Sequence, residues 1–422
     1  MSEFVRIIDP SGKTLRNDLY NSPPDTASYI IFKKGDKICA KNGKTGNVEF
    51  EDPDAADLIQ TVFNALHGQG SHVHICGGEY YISKTITIPF IGEPGTHVGI
   101  MLTGDGCNAT RLILDDNVNG NMFEYTSTER VYFGYFRGIT FDGNKENNTS
   151  GDLIHLNDQF VDFEVHDCYF RNAAGVGLYS DYTWNVRIFG NTFEGNGSHA
   201  LVLKSGSDTK IIGNKFHYNG GCGIYLEDVK NSRIIGNHIY NNDQHGIQIE
   251  YVSESVEGII IANNNFRGSS WTTANTYSQI YGRLTGTIIV GNHFDGANKS
   301  KYAINATAGS GVIVAGNGFT RHVSGVIRAL NTFKSLWHIY GNDGLVTENG
   351  GTATFSGDGA TTTFTIAHGL ADTPRTYRVE PASADAAGDF YVTADDTNLT
   401  VTYLTAPPSG TDNIVLVWQA EI

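Results

Sequence analysis

The sequence is short of the features that mark disulfide scaffolds, membrane proteins and nucleic-acid binders. Its five cysteines, Cys39, Cys76, Cys107, Cys168 and Cys222, are scattered and odd in number. No disulfide framework or zinc-ligand spacing is apparent, and buried free thiols are expected. No stretch approaches the roughly 20 apolar residues of a membrane span, so no membrane insertion is expected. The opening MSEFVRIIDP lacks the basic-then-apolar pattern of a secretory signal, which predicts synthesis in the cytoplasm; a virion protein released by lysis would look the same. Basic residues are outnumbered 29 to 45 by acidic ones, a net charge of −16. Nonspecific nucleic-acid binding is thereby disfavoured, since it needs a basic surface to displace phosphate counterions.

What is abundant is glycine, 50 residues, with 11% aromatics and only 18% charged residues, a composition that fits a turn-rich β protein. Between Val186 and Glu250 one unit recurs: Phe193, Phe216 and Ile239 fall at a constant step of 23, as do Asn191, Asn214 and Asn237. Each unit holds three short runs of period-two alternation broken by Gly and Asn, which excludes helical repeats. Three strands per coil with Leu or Ile inward predicts an all-β chain built on a right-handed parallel β-helix, a solenoid that grows its core coil by coil. The recurring Asn should stack at one turn, its amide bonded to the Asn one coil away and its backbone tolerant of left-handed angles. The pattern continues through Asn264, Asn292, Asn317 and Asn342 with wider spacings, so the extra residues must loop out, frequently on a binding face.

Three regions are expected. Residues 1–50 read as a small β head with hairpin turns near Gly35 and Asn42-Gly43. Residues 51–345 form the solenoid, opened by a capping helix over 53–67 with Asp52 as N-cap, Pro53 at its first position, an apolar stripe of Leu58, Ile59, Val62, Phe63 and Leu66, and Gly68 as stop. Such a lid covers the open end of the bore. Residues 346–422 shift to Thr, Ala, Asp and Gly and alternate like a small C-terminal β-sandwich.

A helix of the DPDAADLIQTVFNAL kind, a Gly-Gly-x-Tyr-x-Ile-x-x-Thr-Ile-x-Ile-Pro segment and Asn-turn coils together resemble the pectate-lyase-like right-handed β-helix superfamily, including viral tailspikes, over roughly residues 50–345. The resemblance implies a polysaccharide partner, a homotrimer and a virion-associated or extracellular setting. It does not choose a reaction, because this superfamily holds hydrolases, lyases, epimerases and inert adhesins.

In the regular coils Leu178, Leu201, Ile224 and Ile247 should face inward. Two outward columns follow at the same step: Tyr179, Val202, Tyr225, Gln248, and Asp181, Lys204, Glu227, Glu250. Asp181, Lys204 and Glu227 alternate in sign as a passive ladder would. Glu227 beside Glu250 is different, for stacked carboxylates repel unless a proton or a cation such as Ca²⁺ intervenes, and such a pair suits acid/base catalysis. Tyr179, Tyr225 and Tyr281 offer flat faces to sugar rings, and the insertions after Glu250 and around Trp271, Tyr277 and Tyr281 should wall the groove. His199 and His245, in line with Cys222, sit just before this strand as candidate bases, and His155 with Asp158 marks a fallback face.

Hydrolysis with Glu227 and Glu250, or Asp181, competes with uronate lysis or C5-epimerisation using Lys204, Tyr225 and a His. Tyr225 with Asp228 is similar to the Tyr-Gly-Phe-Asp-Pro-His-Glu motif of mannuronan epimerases, but Pro and His are missing and Lys230 stands in place of that His. The Asp-Asp and Gly-His-Gly constellations of polygalacturonases are absent. A glycan-binding adhesin that cuts nothing is the non-enzymatic reading. No cofactor is required in any of these, with Ca²⁺ at Glu227 and Glu250 as the one metal considered. Light scattering is expected to give three times the chain mass of 45.9 kDa; a single-chain mass at all concentrations would exclude the trimer.

Overall fold

The computed structural model describes residues 27–66, 71–89, 99–127, 130–157, 160–253, 256–328 and 336–422. Residues 1–26 of the expected head, Gly68 and Asp158 fall outside them.

Among the described residues, mostly parallel strands, typically of three or four residues, repeat coil after coil and stack into one 14-stranded and two 10-stranded sheets. Pairing is in register with the sequence repeat. Phe170, Phe193 and Phe216 are successive partners in one sheet, and Leu178, Leu201, Ile224 and Ile247 in another, all buried as expected. The phenylalanines stack ring on ring inside the bore, at 4.7 Å for Phe170–Phe193 and 4.9 Å for Phe193–Phe216. Each such pair adds about 0.5–1.5 kcal/mol beyond area burial.

The predicted asparagine ladder is present. Asn191, Asn214, Asn237, Asn264, Asn292 and Asn317 each hand both backbone N–H and side-chain Nδ2 to the Oδ1 of the next, ending on Asn342, the side-chain bonds running 3.0–3.1 Å. Each Nδ2 also donates to a carbonyl of the coil before, as Asn214 does to Ile188. The left-handed residue of this turn is the one before the Asn: Gly190 (φ +69°), Gly213 (+66°), Gly236 (+66°) and, where glycine gives way, Asn263 (+54°). The ladder Asn is therefore selected for its amide. A second ladder, Asn196, Asn219 and Asn242, closes the next turn with bonds of 2.9 and 2.8 Å; it shares the 23-residue step and went unread in the sequence.

The capping helix spans Ala55–Asn64, shorter than expected. Its N-cap is Asp54, whose carboxylate accepts from Ala56 and Asp57 N–H, while Asp52 accepts from the Asp54 N–H one turn earlier. Pro53 therefore precedes the cap. Leu58, Ile59, Val62 and Phe63 are buried against the first coil, with Phe63 6.2 Å from Phe123. Strands Tyr29–Lys34, Lys37–Asn42 and Val48–Asp52 extend the longest sheet, Tyr29–Lys34 pairing parallel with His72–Ile75. Beyond the solenoid, two three-stranded antiparallel sheets between Glu348 and Glu421 enclose their own core of Phe364, Leu399, Val401, Leu416 and Trp418. Of the cysteines, Cys39, Cys168 and Cys222 are buried, but Cys107 is exposed and Cys76 partly so, contrary to expectation.

Asn214→Ala strands buried donors on Asn191 and acceptors on Ile188 and Asn237. It is expected to cost about 2–4 kcal/mol, read as a lower midpoint of chemical unfolding. An unchanged midpoint would mean the ladder is not stabilising.

Candidate functional site

One 10-stranded sheet carries both outward columns. Its ladder pairs His155 with Tyr179, Tyr179 with Val202, Val202 with Tyr225, Tyr225 with Gln248 and Gln248 with Tyr281. The second column pairs Lys204 with Glu227 and Glu227 with Glu250, while Asp181 lies one residue past its strand, Leu178–Ser180. From His155 to Tyr281 is five strand spacings, ~24 Å at ~4.8 Å each. Loops rise at both edges: residues 251–253 leave the C-terminal end of strand Ile247–Glu250, and 268–279 lead into the N-terminal end of strand Ile280–Arg283. We take the sheet face that these loops border as the candidate groove.

Each aromatic platform is held from behind. Tyr179 stacks on His155 at 4.4 Å, Tyr225 on His199 at 5.0 Å and Tyr281 on His245 at 4.3 Å. The two inner histidines are fixed by backbone: Cys222 N–H donates to His199 Nδ1 (2.9 Å) and Ser278 N–H to His245 Nδ1 (3.0 Å). Burial lowers both, His245 to about 4, so both are neutral supports at physiological pH. His245, expected to meet substrate, is instead covered by Tyr281 and Tyr277. Cys222 completes no metal line; its thiol lies 3.1 Å from Gln248 Oε1.

The Tyr225 hydroxyl interacts with both carboxylates. Glu227 accepts from the Tyr225 hydroxyl (3.0 Å) and Lys204 (3.2 Å), and Glu250 from the Gln248 amide. Burial is the largest influence on the Lys204 ammonium and works against its charge, but the Glu227 bond together with the nearby Tyr179, Glu227 and Asp181 charges leaves the pKa raised. Burial, and then the Glu227 bond and nearby carboxylates, push the Tyr225 hydroxyl well up; burial and Asp181 push Tyr179 up. Asp181 accepts from Tyr182 N–H at 2.9 Å.

Asp228 is not a groove residue. It is buried, and its carboxylate takes Val252 N–H (2.8 Å), Ser253 N–H (2.9 Å) and the Ser253 hydroxyl (3.0 Å), pinning the wall loop that follows Glu250. Its epimerase-like spacing from Tyr225 reflects a loop anchor. At the other wall Trp271 packs edge-on to Tyr218, with Lys299 over its ring at 5.5 Å.

Sequence reasoning underrated two features. His155 Nδ1 lies 2.7 Å from Asp152 and Nε2 3.1 Å from Asn157; burial opposes its charge, yet these partners raise its pKa overall. The signal was a 24-residue step to Tyr179, one more than the repeat. The second is Gly282 (φ +126°), whose missing Cβ would stand 1.8 Å from Ile249 O and where the register shifts before Arg283. That bulge sets Arg283 over Tyr251 (4.6 Å) and opens a depression of ≈ 290 Å³ beside Glu250, Tyr281 and Thr307. A larger depression, ≈ 540 Å³, lies at Asn185, Lys210 and Arg233 on another sheet and has no paired carboxylates.

Residues 98–266 match the family described as right handed beta helix region. The solenoid is right-handed, as the sequence implied. The ORF18 protein of Geobacillus virus E2 is similar over 90% of this chain and 85% of its own, with 16% identity and a TM-score of 0.58. The A-module of mannuronan C-5 epimerase AlgE4 of Azotobacter vinelandii aligns over 68% of this chain and 96% of its own (16% identity, TM-score 0.45), and the Dettilon tailspike protein gp208 over 87% and 91% (12%, 0.41). At such identities the likeness concerns the fold alone. No curated protein matches the sequence. No helix among the described residues is long and apolar enough to cross a membrane.

In an NMR titration His155 should titrate above the ordinary ~6.5, with His199 and His245 below it. Because its folded pKa is raised, the stability it contributes is full below ~6.5 and lost as pH rises through the folded value. Asp152→Asn should bring His155 down; no change would remove Asp152 as the cause.

Proposed function

We propose that this protein is a polysaccharide-processing enzyme of tailspike type that hydrolyses glycosidic bonds in the groove. The observation that carries the reading is the register of Glu227 with Glu250. Adjacent parallel strands put them about 4.8 Å apart at the backbone, near the ~5–5.5 Å of a retaining carboxyl pair. Glu227, bonded to Lys204 and the Tyr225 hydroxyl, is the nucleophile that attacks the anomeric carbon. Glu250, which accepts from the uncharged Gln248 amide, protonates the departing oxygen and then takes a proton from the water that releases the sugar. Tyr179, Tyr225 and Tyr281 support sugar rings along the groove, and Asp181 and Gln248 flank them. The Lys204 ammonium already sits against Glu227, so Ca²⁺ is not needed there. Trimeric assembly and a place on a virion are part of the proposal, by analogy of fold with viral β-helix proteins.

One observation favours a second reading, lysis or epimerisation of a uronate glycan. Tyr179 lies between His155, whose pKa is raised, and Lys204, whose Nζ is 5.9 Å from its ring, so basic groups flank a place for a sugar carboxylate. Against it, the raised pKa values of Tyr179 and Tyr225 make either a poor base near neutral pH.

A polysaccharide panel assayed for reducing ends, for unsaturated-uronate absorbance and, by NMR, for sugar composition separates the readings. Hydrolysis predicts reducing ends alone, insensitive to chelator, with Glu227→Gln and Glu250→Gln each lowering turnover by at least ~10³-fold at unchanged melting temperature. Binding without any product would make the protein an adhesin, and full activity in both variants would move the site.

A further inference from the structure

We propose that His74, Cys76 and Asp105 form a site for a single borderline-soft divalent metal ion, Zn²⁺ by its donor chemistry, remote from the groove. One imidazole nitrogen, the thiol sulfur and one carboxylate oxygen of these residues lie within 4.8 Å of one another. Around a tetrahedral zinc with bonds of 2.0–2.3 Å, donors stand about 3.3–3.8 Å apart, so closure takes side-chain shifts of roughly an ångström.

The chain builds this cluster from strand geometry. His74 lies in strand His72–Ile75, one residue before its end, and Cys76, two residues on, keeps to its face; Asp105 follows the next rung, Met101–Gly104, with Thr103 directly opposite His74. The surrounding bonds orient each donor. His74 Nδ1 lies 2.9 Å from the Thr103 hydroxyl, which lies 2.7 Å from His72 Nε2. With a metal on His74 Nε2, Nδ1–H donates to Thr103 and Thr103 donates to His72, the outer-sphere arrangement that fixes a ligand imidazole. Asp105 Oδ2 is taken by Gly77 N–H (2.6 Å), leaving Oδ1, now 3.0 Å from His74 Nε2, for the ion. The Cys76 backbone is tied on both sides, its N–H donating to Ile31 O (2.8 Å) and its carbonyl accepting from Tyr80 OH (3.0 Å).

Thiolate, imidazole and carboxylate together select a transition ion over Ca²⁺ or Mg²⁺, which take oxygen. Three protein ligands leave a fourth position, and the half-exposed Asp105 side chain lets water fill it. The Cys76 proton leaves to solvent on binding. The ion would lock the first rungs beneath the capping helix together, raising the melting temperature of the loaded chain.

The test is a Co²⁺ titration of chelator-treated full-length protein, followed by Zn²⁺ competition and thermal melting. One equivalent should give a thiolate-to-cobalt charge-transfer band that Zn²⁺ abolishes. Cys76→Ser should lose that band, and His74→Gln and Asp105→Asn should lose affinity. Thr103→Val should weaken binding by about 10–100-fold, and Cys107→Ser should change nothing. Circular dichroism checks each variant's fold, and if Cys76→Ser fails to fold, His74→Gln and Asp105→Asn decide. Absence of the band, or equal affinity across these variants, overturns the site.

Discussion

A solenoid bends its chain three times per coil, and each bend brings peptide groups inside where neither strand pairing nor water reaches them. The asparagine ladder answers that constraint. One amide oxygen receives both donors of the preceding Asn, and one amide nitrogen donates onward and to a carbonyl of the coil before. The device works only if every coil places its Asn at the same angular position, so it locks register. Once register is locked, every outward column on every sheet is fixed, including the carboxylates of the groove.

Position on the solenoid then sorts residues of the same type into different work. His199 and His245, spaced by two repeats, are neutral backings for tyrosine platforms, while His155, one coil above Tyr179 and bonded to Asp152, carries the raised pKa. Glu227 and Glu250 face the groove. Asp228, the next residue after Glu227, turns into the wall loop because its backbone has left the strand with φ +52°. Neighbouring acids thus differ in function through backbone direction alone.

Specific hydrogen bonds hold the insertions that interrupt the repeat. Asp228 clamps residues 252 and 253, and Ser270 bonds Thr276 and Tyr277 within the opposite wall. Gly282 admits the Ile249 carbonyl where any side chain would collide, so the bulge that turns Arg283 toward Tyr251 is written into one glycine.

The periodic part of the molecule was legible in the sequence. Inward Leu and Ile, the first Asn ladder, the phenylalanine stack and the two outward columns all follow from a constant 23-residue step and an alternation of two, because a parallel in-register ladder maps equal spacing onto direct contact. Contacts that cross between rungs at unequal spacing were hidden: the pairing of each tyrosine with a histidine, the Asp228 clamp, and the approach of Asp105 to His74 and Cys76, 31 and 29 residues away in the chain. Motif spacings for metals or catalysis assume ligands on one local segment, whereas here the third donor arrives with the next coil. The helix began at Asp54 and not Asp52 because both carboxylates can cap, and only the path of the chain over the first coil chose between them. The sequence by itself determined which residues share a face; the tertiary structure decided which of them touch, since that depends on side-chain direction and loop length that no period encodes.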